Sequence, residues 1–205
     1  MNIAIIATSG IYPLHAGGPG NVGYFLAKEF GNLGHNVNVF IRVKNDYELS
    51  LVNSLDEFIK QTNVRFFPIA IDYNFINFYN FLSAALKIIK MSSMFNNEVH
   101  DVVLYNSPPV DISILIPFLC KLKKIDQFII FHGYGGVIKN RLTFSRILIK
   151  IEKDLFKKCV IVSKYAMDIP AILGIPRKRV ALIHNGVQID ELLHDQPDLL
   201  LHGIP

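Results

Sequence analysis

Short runs rich in β-branched residues alternate along the chain with longer segments in which apolar positions recur at helical spacing. These short runs predict strands near residues 3–8, 36–42, 64–68, 102–105, 128–131, 160–163 and 179–183. Segments of helical period fill the gaps near 21–33, 75–95, 111–123, 142–156 and 166–173. Residues 45–63 are the least clearly patterned and read either as a short helix or as an excursion before the third strand. Strands that alternate with helices need crossover connections, and the economical packing is a parallel sheet covered on both faces. The expected fold class is therefore α/β, with a doubly wound, mainly parallel sheet.

In such a sheet ligands sit beyond the carboxyl ends of the strands. Small, polar and glycine residues recur at those positions. After the first strand comes Gly17-Gly18-Pro19-Gly20-Asn21-Val22-Gly23, after the fourth Asn106-Ser107-Pro108-Pro109, and after the fifth His132-Gly133-Tyr134-Gly135-Gly136. After the sixth comes Ser163-Lys164, and after the seventh His184-Asn185-Gly186-Val187. Each alone is ordinary turn chemistry; their recurrence along one edge points to a site.

The glycine loop has competing readings. Gly18, Gly20 and Gly23 satisfy the spacing of a dinucleotide-binding turn. However, residues 9–17 intervene after the strand, and the second strand ends in Arg42 and Lys44 where an acidic residue would take a ribose. An NADP-dependent oxidoreductase, with Arg42 meeting a 2′-phosphate, stays open. So does a purely structural role in tight turning and close packing.

Composition narrows the classes. The chain has 205 residues, 51% of them hydrophobic, enough for a well-buried core. Its mean hydropathy of +0.32 is high for a soluble monomer, yet the longest apolar stretch, 112–120, is broken by Ser113 and Pro117. That is well short of the ~20 residues a spanning helix needs, so the excess suggests a face that covers a partner, a second domain or a lipid surface. Met1-Asn2 carries no basic leader, and only Cys120 and Cys159 are present, both in apolar settings. The expectation is a cytoplasmic protein, peripheral at the inner membrane face at most, with neither a disulfide framework nor a metal site. A net charge of +4 suits anionic ligands or a membrane surface, and no nucleic-acid module is visible.

Several segments together resemble the amino-terminal domain of a family 4 glycosyltransferase, a retaining group with the GT-B fold. They are Gly17-Gly18, Leu33-Gly34-His35-Asn36-Val37, Asp101-Val102-Val103, His132-Gly133, Cys159-Val160-Ile161-Val162-Ser163-Lys164 and Val180-Ala181-Leu182-Ile183-His184-Asn185-Gly186-Val187. The resemblance implies a Rossmann-like domain over 1–190 that forms one half of a GT-B fold, with 191–205 beginning a linker or tail. It also implies that the donor-binding carboxyl-terminal domain, with its paired glutamates, is absent from this sequence and must be supplied in cis or in trans. The implied function is the acceptor-binding half of an enzyme that moves a sugar, with retention, from a nucleotide-diphosphate sugar to a glycan or lipid-linked acceptor, incomplete alone. No cofactor beyond the donor substrate is implied. A non-catalytic binding or scaffold domain, or one subunit of a split transferase, is the alternative.

By that resemblance His132 reaches the donor sugar as the catalytic-site residue, and Gly17 and Gly18 let backbone amides approach the diphosphate. Asn106, Ser107, Tyr134, Ser163 and Asn185 are acceptor or sugar contacts by position. Each has a plainer reading: a turn histidine, a packing tyrosine, polar residues that close turns. Asp101 and Asp111 could be read as acid or base candidates, yet Asp101 is as well explained by strand entry and Asp111 by helix capping. The basic, apolar-interleaved stretch from Lys139 to Lys158 could lie on anionic lipid, although a surface helix of an α/β sheet has the same pattern. The aromatics Phe75, Phe78, Tyr79 and Phe81 raise the same pair of readings.

Overall fold

In the computed structural model of the chain the described residues are 1–7, 11, 18–43, 45–58, 63–70, 78–107, 115–132 and 154–184. They form strands β1 (Asn2–Ala7), β2 (Asn36–Val43), β3 (Val64–Ala70), β4 (Val102–Tyr105), β5 (Asp126–Phe131), β6 (Lys158–Ile161) and β7 (Val180–Leu182). The helices are α1 (Gly18–Asn32), α2 (Asp46–Phe58), α3 (Phe78–Asn97), α4 (Ile116–Lys123) and α5 (Asp168–Ile172).

The sheet order is β3-β2-β1-β4-β5-β6-β7, and every neighbouring pair is parallel. β1 is the pivot, with Ile5 aligned to Val39 on one side and Leu104 on the other. Right-handed crossovers that leave β1 in one direction and β4 in the other place their helices on opposite faces. Two cores result. Ile3, Ile5, Val37, Val39 and Ile41 pack with Tyr24 and Ala27 of α1 and Val52 and Leu55 of α2. Ala4, Ile6, Phe40, Val103, Tyr105 and Ile129 pack with Met91 and Phe95 of α3, Ile116 and Cys120 of α4, and Ile169 of α5. Alternate residues of one strand thus serve different cores, as a period of two requires.

Buried polar groups tie the layers together. The Tyr105 hydroxyl donates to Gln127 Oε1 at 2.9 Å, and Gln127 Nε2 donates to the Pro117 carbonyl at 3.0 Å, which joins β4, β5 and α4. Gly34, at φ 80°, ends α1, with its amide on the Gly31 carbonyl and the His35 amide on Phe30. A side chain there would be strained, and glycine removes the strain. Cys120 and Cys159 are buried free thiols, and burial pushes both pKa values up to about 12. They therefore stay protonated and behave as small apolar residues.

Several boundaries differ from the sequence expectation. The poorly patterned 45–63 stretch contains α2. α1 begins at Gly18 rather than 21: Pro19 lacks only an amide that a first turn leaves unpaired, and has the right φ. β5 begins at Asp126, earlier than the apolar run, because the amide of Gln127 is satisfied inside the protein. β6 occupies Lys158–Ile161, so Ser163 follows the strand instead of ending it. The helix expected over 142–156 lies mostly outside the described residues, and residues 154–156 are non-helical. The 166–173 segment is a 3-10 turn, Lys164–Ala166, followed by the short α5.

His100, buried between Phe40 and Phe95, has neither ring nitrogen hydrogen-bonded. Burial holds its pKa below the ordinary 6.5; Glu98 and the nearby Phe95 backbone oppose this, while Lys123 and Arg65 add to it. The unfolded chain therefore binds this proton first, and stability falls as pH drops through 6.5 toward the lower native value. In His100→Phe the loss of stability between pH 7.5 and pH 5, measured by urea unfolding, should be smaller than in the parent. An unchanged slope would contradict the assignment, whatever the variant's absolute stability.

Candidate functional site

The site expected at the carboxyl ends of β1, β4 and β5 is assembled by one side chain. Asn106 follows β4 directly, and its backbone amide continues the ladder to Ile6 of β1 at 3.0 Å. Its side chain is fully buried. Asn106 Nδ2 donates to the Pro19 carbonyl in the first turn of α1 at 2.7 Å, and Asn106 Oδ1 lies 2.9 Å from His132 Nε2. The start of α1, the end of β4 and the end of β5 are thereby joined at the point where the strand order reverses.

α1 can approach this closely because it is small where it meets the sheet: Gly20, Gly23, Ala27 and Gly31 are buried. A Cβ at Gly23 would stand 2.6 Å from Asn106 Nδ2 and 3.3 Å from its Cγ. Gly18, by contrast, is exposed, with nothing within 4 Å of where its Cβ would be. The first turn of α1 leaves backbone amides without intrahelical partners and carries the positive end of the helix dipole. It is suited to an anion.

His132 is half-buried, and burial holds its pKa below the ordinary value while the Asn106 backbone acts the other way. Its imidazole is therefore neutral near pH 7. Its Nδ1 is shut off from water and has no hydrogen-bond partner. Ser107 Oγ donates to the Asn106 carbonyl at 2.6 Å, which holds the turn after β4. Ser163 is half-buried after β6, in front of the 3-10 turn, without a side-chain cap bond; it stands two strands from β4. Gly17, Tyr134, Asn185 and Asp111 lie outside the described residues. Asp101 accepts the Asn2 amide at 2.7 Å at the opposite edge, consistent with strand entry. Among the described residues no three His, Cys, Asp or Glu side chains converge as a metal site would require.

A depression of about 570 Å³ lies at the amino edge, lined by Asn2, Asn36, Asn38, Arg65 and Glu98 among others. Its polar groups bind one another. Asn36 Nδ2 donates to Asn2 Oδ1 at 3.0 Å, Arg65 Nε to Asn38 Oδ1 at 3.2 Å, and Arg65 Nη2 to Glu98 Oε2 at 2.8 Å. A closed network at the wrong end of a parallel sheet has few groups left for a ligand. We assign the site to the carboxyl edge.

The sequence profile described as Glycosyltransferase Family 4 matches residues 16–191, whereas no curated protein sequence matches the chain. Similar solved structures include HepE from Anabaena in complex with UDP-glucose, at 13% identity and a TM-score of 0.60, covering 93% of this chain and 45% of that one. The lipopolysaccharide outer core galactosyltransferase WaaB matches at 15% identity and a TM-score of 0.58, over 92% of this chain and 47% of that one. A UDP-N-acetylglucosamine 2-epimerase from Rickettsia bellii matches at 17% and 0.57, over 95% and 47%. The chain thus spans a little under half the length of these structures, in keeping with one half of a GT-B fold. At such identities the likeness is one of fold, shared by transferases and an epimerase alike.

Gly23→Ala separates a built site from a loosely packed one. In a helix interior this change normally stabilises by up to ~1 kcal/mol; here the new methyl displaces Asn106, and a loss of about 1–3 kcal/mol is expected. Urea unfolding reads the sign directly, and stabilisation would contradict the close approach.

Proposed function

The chain belongs to Glycosyltransferase Family 4, and on that premise we propose that it is the acceptor-side half of a retaining glycosyltransferase using a nucleotide-diphosphate sugar. The observation that carries this reading is the junction of the α1 first turn, Asn106 and His132 at the carboxyl edge. Sugar transfer needs stabilisation of a departing diphosphate and a reacting sugar held close to the acceptor hydroxyl. The first-turn amides of α1, without intrahelical partners and approachable because Gly18 has no side chain, face the diphosphate. His132, neutral and held from behind by Asn106, contacts the donor sugar. Gly17 would extend the amide surface, and Ser107, Tyr134, Ser163 and Asn185 would shape the acceptor side. The reaction as proposed uses no cofactor or metal, and the donor-binding half comes from a carboxyl-terminal domain in cis or in trans.

A glycan or lipid-linked acceptor at the inner face of a membrane fits a second feature. No helix among the described residues is long and apolar enough to cross a membrane. On or beside α3 and α4, however, Leu86, Ile89, Leu115, Phe118 and Leu122 are exposed. Lys87, Lys90, Lys121, Lys123 and Lys124 are close to them in sequence, and residues 86–97 and 115–125 hold no carboxylate. Exposed apolar side chains interspersed with lysines suit peripheral contact with anionic lipid.

Residues 1–205 alone should show little or no transfer from UDP-hexoses. Adding the carboxyl-terminal half should restore it, and His132→Ala should then lower kcat on the order of 100-fold. Robust turnover by residues 1–205 would overturn incompleteness. Full activity in His132→Ala would favour the scaffold reading of this domain.

A further inference from the structure

We propose that Asn106 is a positioning residue that locks the half-buried His132 as the Nε2–H tautomer. The argument begins at Pro19. A carbonyl oxygen only accepts, so the Asn106 atom 2.7 Å from it must be the amide nitrogen. That fixes the orientation of the amide without recourse to electron counts. The other end of the amide, facing His132 at 2.9 Å, is then Oδ1, which also only accepts. His132 Nε2 must therefore carry the hydrogen.

In a neutral imidazole the remaining nitrogen holds a lone pair and no proton. His132 Nδ1 is that atom, and it is enclosed and unpaired. With Nε2 committed to Asn106 and Nδ1 enclosed, the ring is held in one orientation and one protonation pattern; on the functional reading above, this is what fixes the face His132 presents to the site.

Gly23 gives independent support. The Cβ it lacks would occupy the space of Asn106 Nδ2, so the helix leaves room for the amide to reach Pro19 and His132 together. Among the described residues no charged side chain acts on His132: burial lowers its pKa and the Asn106 backbone opposes this. Replacing the Asn106 side-chain amide by a carboxylate of the same shape should therefore have an isolated effect.

Long-range 1H–15N correlation spectra of the labelled 205-residue chain test the tautomer without any transfer assay. At pH 7.5 His132 should show the Nε2-protonated pattern alone. A predominant Nδ1–H form, or the averaged mixture of a free imidazole, would overturn the proposal. Asn106→Asp should raise the His132 pKa by about 1 unit or more, since an adjacent carboxylate favours the cation; no rise would count against it. Asn106→Leu, or Gly23→Ala if the leucine variant does not fold, should mix the two tautomers, and a retained Nε2–H pattern in the folded variant would show that Asn106 is not the lock. In the complete enzyme, Asn106→Asp should move the acid limb of the kcat/KM profile upward with the same shift. An unmoved acid limb beside a confirmed Nε2–H tautomer would count against the functional reading and leave the positioning role of Asn106 intact.

Discussion

Because β1 sends its crossover one way along the sheet and β4 the other, a crevice opens outside the carboxyl ends where the two strands meet. The gap has to be closed by something that can touch three elements at once. Asn106 does so with one amide: a donor to α1, an acceptor for His132, and a backbone amide still in register with β1. The helix packs close enough for this because its sheet-facing positions are glycine and alanine. The topology, the small residues of α1 and the protonation of His132 form one dependency. Removing any of them undoes the site while leaving most of the core in place.

Charge and polarity are distributed consistently with this arrangement. The carboxyl edge carries amides without intrahelical partners, a neutral imidazole and no paired carboxylate cluster among the described residues, which suits a diphosphate and a polyol. The amino edge carries more polar side chains, but they are engaged with one another. A concave, polar surface is thus less informative than the state of its hydrogen bonds.

Much of the fold was legible in the sequence because the strands are short apolar runs with sharp ends. Val102–Tyr105 emerges at the expected residues, and Gly34 marks the end of α1 as expected. What was not legible depended on long-range satisfaction of polar groups. Gln127 looks like a loop residue until Tyr105 and Pro117 supply its partners. Asn106 read as a substrate contact, because its position after a strand is visible in sequence but its two intramolecular bonds are not. The glycine spacing was likewise ambiguous: Gly23 matters for the side chain it faces across the fold. One signal was available, an Asn placed after β4 in a chain with small residues at the start of α1, but only the topology brings the two together.

The central claim is that the carboxyl edge at the β1/β4 reversal binds the nucleotide sugar, and amide shift mapping of the 15N-labelled chain with UDP-glucose at millimolar concentration tests it most directly. The account predicts weak binding with perturbations concentrated at residues 18–24, 106–107 and 132, and none at Asn38, Arg65 or Glu98. Perturbations centred on the amino edge, or no perturbation anywhere at that concentration, would contradict it.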